Sequence, residues 1–173
     1  MISAIVAVDL DWGIGYQGQL LEHLPPDMKY FRALTTGNVV VMGRKTWDSL
    51  PKRPLENRFN IIVTRNPKHF HDFTDKKSSY MSLDLQETIN AIKDPFRLDD
   101  IFIIGGGEIY KQLLPYCDRV YVTKIGKSHK DVDTYFPNLD KDPHWEVMTC
   151  TELKEYNNIP YTFLTYKRRQ LTL

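Results

Sequence analysis

The sequence predicts a single-domain α/β fold: a central, mainly parallel sheet flanked by helices, with an antiparallel C-terminal edge. Three observations carry this. Short apolar runs rich in β-branched residues recur at 2–8, 39–42, 60–63 and 101–104; they are continuous, as in strands covered on both faces. Helical signals fall between them. Beyond residue 118 the pattern turns to alternation, Val120 and Val122 against Tyr121 and Thr123, which suits strands with one wetter face.

Residues 2–8 start the sheet. A helix is expected over 25–36. Pro25 and Pro26 suit its first turn, and Asp27 complements its N-terminal dipole. Met28, Phe31 and Leu34 form its apolar stripe, and Gly37 stops it. A short helix, 44–50, follows the strand at 39–42. Residues 83–93 carry Leu85, Ile89 and Ile92 at i, i+4, i+7, with Ser82 or Asp84 as cap and Asp94-Pro95 as terminator. A fourth helix, 108–114, opens after Gly105-Gly106-Gly107. Strands at 119–125, 145–151 and 161–168 complete the chain; the turn signal Asn157-Asn158-Ile159-Pro160 makes the last two an antiparallel hairpin.

The 173 residues amount to one domain at roughly 150 per domain. Apolar residues at 42% and charged residues at 26% exclude disorder, collagen and low-complexity filament. A net charge of +1 offers no global field for nucleic acid or anionic lipid. No apolar run reaches the ~20 residues that span a bilayer. The apolar start lacks a basic segment and runs into Asp9 and Asp11, so it reads as a strand and not as a signal peptide. Cys117 and Cys150 form neither a CxxC pair nor a metal-ligand spacing; two reduced thiols in a cytoplasmic protein are expected. No repeat or linker divides the chain: 1–168 is read as the domain and 169–173 as a basic, polar tail. No leftover apolar helix face suggests a partner subunit, so a monomer is expected.

The glycine motifs separate by context. Gly13-Ile14-Gly15-Tyr16-Gln17-Gly18 fits a dinucleotide pattern, but it does not open a helix, as a pyrophosphate site requires. The stretch 9–24 reads instead as a glycine-rich lid over a pocket. Gly43-Arg44-Lys45-Thr46 fails the P-loop spacing, yet it puts two cations and a hydroxyl where a strand meets a helix N-terminus, a place that favours anions. Gly105-Gly106-Gly107 follows a strand and opens a helix; without Cβ atoms, its backbone can approach a ligand closely. His69-Phe70-His71-Asp72 lacks a third ligand at suitable spacing, so no metal is expected. Lys167-Arg168-Arg169 reads as a solvated strand end.

These elements stand in a specific order. It runs Ala7, the loop with Gly15, Leu24-Pro25-Pro26-Asp27, Val41-Met42-Gly43-Arg44-Lys45-Thr46-Trp47, Arg58 and Thr64-Arg65-Asn66. It continues through Ile104-Gly105-Gly106-Gly107-Glu108-Ile109-Tyr110 and Tyr121-Val122-Thr123 to Asp133-Thr134-Tyr135-Phe136-Pro137. Over nearly the whole chain this closely resembles the dihydrofolate reductase family. The resemblance implies an eight-stranded, mainly parallel sheet with four helices. It also implies reduction of 7,8-dihydrofolate to 5,6,7,8-tetrahydrofolate, by hydride transfer from NADPH to C6 and protonation at N5, which supplies one-carbon metabolism. Asp27 resembles the acid under the pterin, able to accept two parallel hydrogen bonds, and Thr123 the hydroxyl that bonds it. Burial against Phe31 and Ile5 should raise the pKa of Asp27 more than the helix dipole lowers it.

Other roles follow from the resemblance. Ile5, Ala7, Met28, Phe31, Leu50, Leu55, Ile104 and Tyr110 would contact substrate, and Arg58 would fork onto the α-carboxylate of its glutamate tail. Arg44, Lys45, Thr46 and Arg65 would hold the adenosine phosphates. Ala7, Ile14, Gly15, Leu20, Gly43, Thr64, Gly105, Gly106, Gly107, Glu108, Ile109 and Tyr110 complete the cofactor side, with a cis peptide between Gly105 and Gly106. Two positions depart from the family. Glu22 stands where an aromatic residue is usual, and it joins the expected catalytic residues because a carboxylate near Asp27 would raise the latter's pKa further; the alternative is that it faces solvent. Val132 stands where glycine is common and would stiffen the loop against the lid. A pyrimidine reductase of riboflavin synthesis and a non-catalytic NADPH-binding module are the rival readings.

Overall fold

A computed structural model describes residues 1–66, 68, 78–95 and 97–170. Its main sheet holds β1 (Ile2–Val8), β4 (Val39–Gly43), β5 (Phe59–Val63), β6 (Ser79–Ser82), β7 (Ile101–Gly105), β8 (Arg119–Ile125), β10 (Trp145–Cys150), β11 (Lys154–Tyr156) and β12 (Ile159–Arg168). The strand order is β10-β12-β8-β1-β7-β4-β5-β6, with β11 on β12. The expected eight-strand path is therefore present, with one short strand added. Every pair from β8 to β6 along this path is parallel, and β12 runs antiparallel to β8, β10 and β11. The helices are α1 (Pro25–Thr35), α2 (Arg44–Ser49), α3 (Leu85–Ile92) and α4 (Gly107–Leu113).

The continuous apolar runs are explained by two covered faces. Ala4, Val6, Val8, Val39, Val41, Ile101 and Ile103 join one core with Ile89 and Ile92 of α3 and Leu113 of α4. Their neighbours Ile5, Val40, Met42 and Phe102 join a second core with Trp47, Phe31 and Leu34, since successive strand side chains point to opposite faces. Asp84 caps α3 by accepting the Gln86 N–H at 2.8 Å. Ser82 instead donates to the Asp84 carbonyl.

Several expectations are corrected. The stretch 9–24 carries a hairpin, β2 (Gly13–Tyr16) and β3 (Gln19–Leu20), which pairs with β9 (Thr134–Tyr135) in a second, three-stranded sheet. Glycines hid this strand pairing, because they weaken the apolar pattern. The turn at Asn157 and Asn158 joins β11, and not β10, to β12; both turn residues have positive φ. Arg168 is no solvated end. It donates to the carbonyls of Cys117, Leu114 and Pro115 and lies over the Trp145 ring. The segment His69-Phe70-His71-Asp72 lies outside the described residues. Among the described residues, no helix is long and apolar enough to cross a membrane.

Candidate active site

Asp27 sits in the first turn of α1, where Pro25 and Pro26 need no N–H partner and no side chain caps the helix. Its N–H donates to the Leu24 carbonyl. Thr123 of β8, buried and directly beside Ala7 of β1, donates its hydroxyl to Asp27 Oδ1 at 2.5 Å. Burial raises the pKa of Asp27, and the single Thr123 bond only partly opposes that rise.

The wall around this acid is apolar. Ile5, Phe31, Leu50, Leu55 and Ile104 belong to one cluster, as the substrate reading requires. Ala7 packs instead with Leu24, Ile125 and Phe163. Tyr110 is fully buried, and its hydroxyl donates to the Ile5 carbonyl at 2.6 Å. It thus supports the strand beneath the pocket. Met28 is half exposed and joins none of these clusters. At the far end Arg58 donates to the Glu56 carbonyl and to the Thr35 hydroxyl and lies over Phe31.

The second half of the site lies along the carboxyl ends of β4, β5 and β7. Met42 is level with Gly105, and Gly43 with Val63, so Gly43, Thr64 and Gly105 share one edge. The N-termini of α2 and α4 start here at Gly43 and Gly106, and neither has a side-chain cap. Two sets of helix N–H groups are thereby directed at one place. Gly105 has φ +112, and a Cβ there would lie 3.0 Å from the Tyr110 ring; only glycine suits it. The peptide between Gly105 and Gly106 is cis. A Cβ on Gly106 would lie 3.4 Å from the Thr46 hydroxyl, and one on Gly107 would lie within 4.0 Å of Ile14. Ile14 of β2 and Thr134 of β9 are thus brought to this edge.

Not every expected cofactor residue points there. Arg44 is held along α2 by Asp48, its Nε 2.9 and 3.0 Å from the two carboxylate oxygens. Glu108 accepts from Gln112 on its own helix. Ile109 packs on Gly43. Lys45 and Arg65 are exposed, and Leu20 is 71% exposed on the hairpin.

Glu22 is the clearest correction. Its Oε1 lies 2.5 Å from Lys127 Nζ and 2.8 Å from His129 Nε2. The Lys127 bond is the main reason its carboxylate stays below the ordinary range. It neither faces solvent nor adds to the rise of Asp27, whose causes are burial and Thr123 alone. No local pattern signals this, because Lys127 and His129 lie more than 100 residues from Glu22 in the chain. Val132 fills the space Gly13 leaves: a Cβ on Gly13 would lie 2.8 Å from Val132 Cγ1.

One acid of raised pKa on an apolar sheet face, in a parallel α/β sheet with two uncapped helix N-termini on its carboxyl edge, is the arrangement of an α/β enzyme that handles a proton and can favour an anion. The family model described as dihydrofolate reductase matches residues 1–168. Proteins named dihydrofolate reductase are similar throughout. That of Bacillus subtilis is 37% identical over 98% of this chain and 95% of its own length. That of Haemophilus influenzae is 41% identical over 89% and 86%. A Staphylococcus aureus protein of that name is 36% identical over 98% and 99%. The chain belongs to the dihydrofolate reductase family and is an oxidoreductase.

Proposed function

We propose that this chain reduces 7,8-dihydrofolate to 5,6,7,8-tetrahydrofolate with NADPH, and that Asp27 and Thr123 manage the proton while the glycine edge holds the cofactor. The observation that carries this is the Asp27–Thr123 pair, one helical turn from Phe31 of the apolar cluster with Ile5, Leu50, Leu55 and Ile104. The edge of β4 and β7 suits a dinucleotide, because α2 and α4 both begin there without a side-chain cap and a pyrophosphate is a strong acceptor. Lys45 and Arg65, both exposed, would favour the extra phosphate of NADPH. Bound there, NADPH supplies the hydride.

The chain's own residues do the rest. Asp27 accepts two parallel hydrogen bonds from the pterin and favours its protonated form, the better hydride acceptor. Thr123 fixes the carboxyl orientation. Ile5, Phe31, Leu50, Leu55 and Ile104 exclude water, which strengthens that charge interaction. Arg58 receives the α-carboxylate of the glutamate tail as a fork. Glu22 has no direct part in the chemistry. The same reading makes the protein a cytoplasmic monomer of one domain over 1–168; two free cysteines, one buried and one exposed, support a reducing compartment.

The test is oxidation of NADPH by the purified protein, with and without dihydrofolate. Turnover that requires dihydrofolate, and that falls at least about 100-fold in Asp27→Asn at neutral pH, is expected for loss of a positioned acid. NADPH binding without turnover, or turnover of a pyrimidine instead, overturns the substrate assignment.

A further inference from the structure

Both feet of the β2–β3 hairpin end on carboxylates, and one side chain lies between them. The first foot is Asp9, which is fully buried. Its Oδ1 accepts the N–H groups of Asp11 and Gly13 at 2.9 and 2.8 Å. Its Oδ2 accepts the N–H of His129 and lies 3.1 Å from His129 Nδ1. The second foot is Glu22, two residues beyond β3, whose Oε1 lies 2.8 Å from His129 Nε2. Lys127 closes the chain on the same oxygen.

We propose that His129 is a positioning residue: its ring bridges Asp9 and Glu22, ties the two feet of the lid hairpin together and so holds the lid over the cofactor edge. Each ring nitrogen lies within hydrogen-bond reach of a carboxylate oxygen, so one side chain spans both feet. Both carboxylates stay ionised. Burial pushes Asp9 up, but its bonds to Gly13, His129 and Asp11 outweigh that, and Glu22 is held down chiefly by Lys127. Asp11 and Lys124 are the other charged groups acting around Asp9. The result is a continuous row, Asp9, His129, Glu22, Lys127, in which each side chain meets the next. The row reaches the lid from the connection between β8 and β9, and that connection also grips the hairpin tip through Asp133, which accepts the Gln17 N–H and donates its own N–H to the Gly15 carbonyl. Without the ring, the first foot keeps the Leu10 N–H bond to the Lys127 carbonyl and the second keeps Lys127, but the direct tie between the two carboxylates is lost.

The statement that the bridge holds the hairpin needs no ligand; its consequence for the cofactor rests on the function proposed above, and the test separates the two. Amide hydrogen exchange on the ligand-free protein reads the feet directly. In His129→Gln, the amides of Asp11 and Gly13 are expected to exchange about tenfold faster, while core amides of β4 and β7 are unchanged. Stopped-flow release of NADPH is then compared for wild type, His129→Gln, Glu22→Gln and the double variant. Each single variant is expected to release NADPH several-fold faster, and the double no faster than the quicker single, because the residues act as one unit. Single-turnover hydride transfer at saturating NADPH stays within about twofold in His129→Gln, a split that general destabilisation does not produce. Exchange unchanged at Asp11 and Gly13, or additive effects on release, overturns the bridge. A wild type that does not bind NADPH overturns the functional reading and leaves the exchange result to decide the bridge.

Discussion

Two carboxylates flank the end of β1, and their surroundings move them in opposite directions. Asp9 has no surface open to solvent and yet is held below its ordinary pKa; Asp27 keeps some exposed surface but lies deeper among protein atoms and is raised. The difference is supply. Asp9 receives the N–H groups of Asp11, Gly13 and His129 and the His129 ring, whereas Asp27 has Thr123 alone. A carboxylate with every lone pair satisfied stays charged and serves as a fixed anchor. One left short is poised to take a proton or a ligand's paired donors. In this pair the number of donors and the depth within the protein act together, and solvent exposure alone does not separate the structural acid from the chemical one.

Replacing each acid by its amide should give opposite phenotypes, which is the sharpest way to break the comparison. Asp27→Asn carries the largest effect, the loss of turnover of at least about 100-fold described above. Asp9→Asn should cost about 3 kcal/mol of stability in urea at neutral pH, because the amide oxygen can still serve Asp11 and Gly13 but its NH2 group then faces the His129 N–H inside the protein. The pH dependences also differ in sign. The stability Asp9 contributes is present above the ordinary carboxylate pKa and is lost as pH falls through its lowered folded value. Asp27 behaves oppositely: stability is lost as pH rises through its raised folded value. Asp27→Asn is therefore expected to be more stable than wild type at neutral pH and indistinguishable from it in acid, by urea denaturation at each pH.

The sequence made one of these two acids visible. Asp27 was legible because its neighbours are local: two prolines, an apolar stripe at helical spacing and a stop at Gly37. The sheet was legible for a related reason, since buried parallel strands leave continuous apolar runs. Asp9 was read only as a residue that spoils a signal peptide. Its donors come from a turn and from a loop 120 residues away, and neither leaves a mark on periodicity. Glu22 was misplaced for the same reason: its partners, Lys127 and His129, are distant in the chain. β2, β3 and β9 were missed because they are short and glycine-rich, held by pairing across the chain and little by propensity. Local patterns thus located the fold and the chemical acid, while the charged row that braces the lid needed coordinates.

Thr123→Val tests the supply argument at its thinnest point. It removes the one hydroxyl that favours the charged form of Asp27, so the pKa of that acid should rise further. The alkaline limb of the pH profile for hydride transfer should move to higher pH, with a smaller loss of turnover than in Asp27→Asn. A limb that stays in place would mean that Thr123 only orients the carboxyl and does not set its charge.

The smallest effect concerns how closely the lid's first foot is packed. Gly13 and Val132 divide one space between them: a Cβ on Gly13 would stand 2.8 Å from Val132 Cγ1 and 3.1 Å from Asp9 Oδ1. Val132 is β-branched and cannot swing away freely. Gly13→Ala should therefore cost about 1 kcal/mol by overpacking, read as a lower urea midpoint and as faster exchange at the Gly13 amide that Asp9 binds. Adding Val132→Ala empties the space from the other side and should restore most of that loss. If the double variant recovers stability but its residue-13 amide still exchanges fast, the clash with the Asp9 carboxylate is the one that matters, and the anchor is sensitive to tenths of an ångström where the Asp27 pocket, with its single bond, is not.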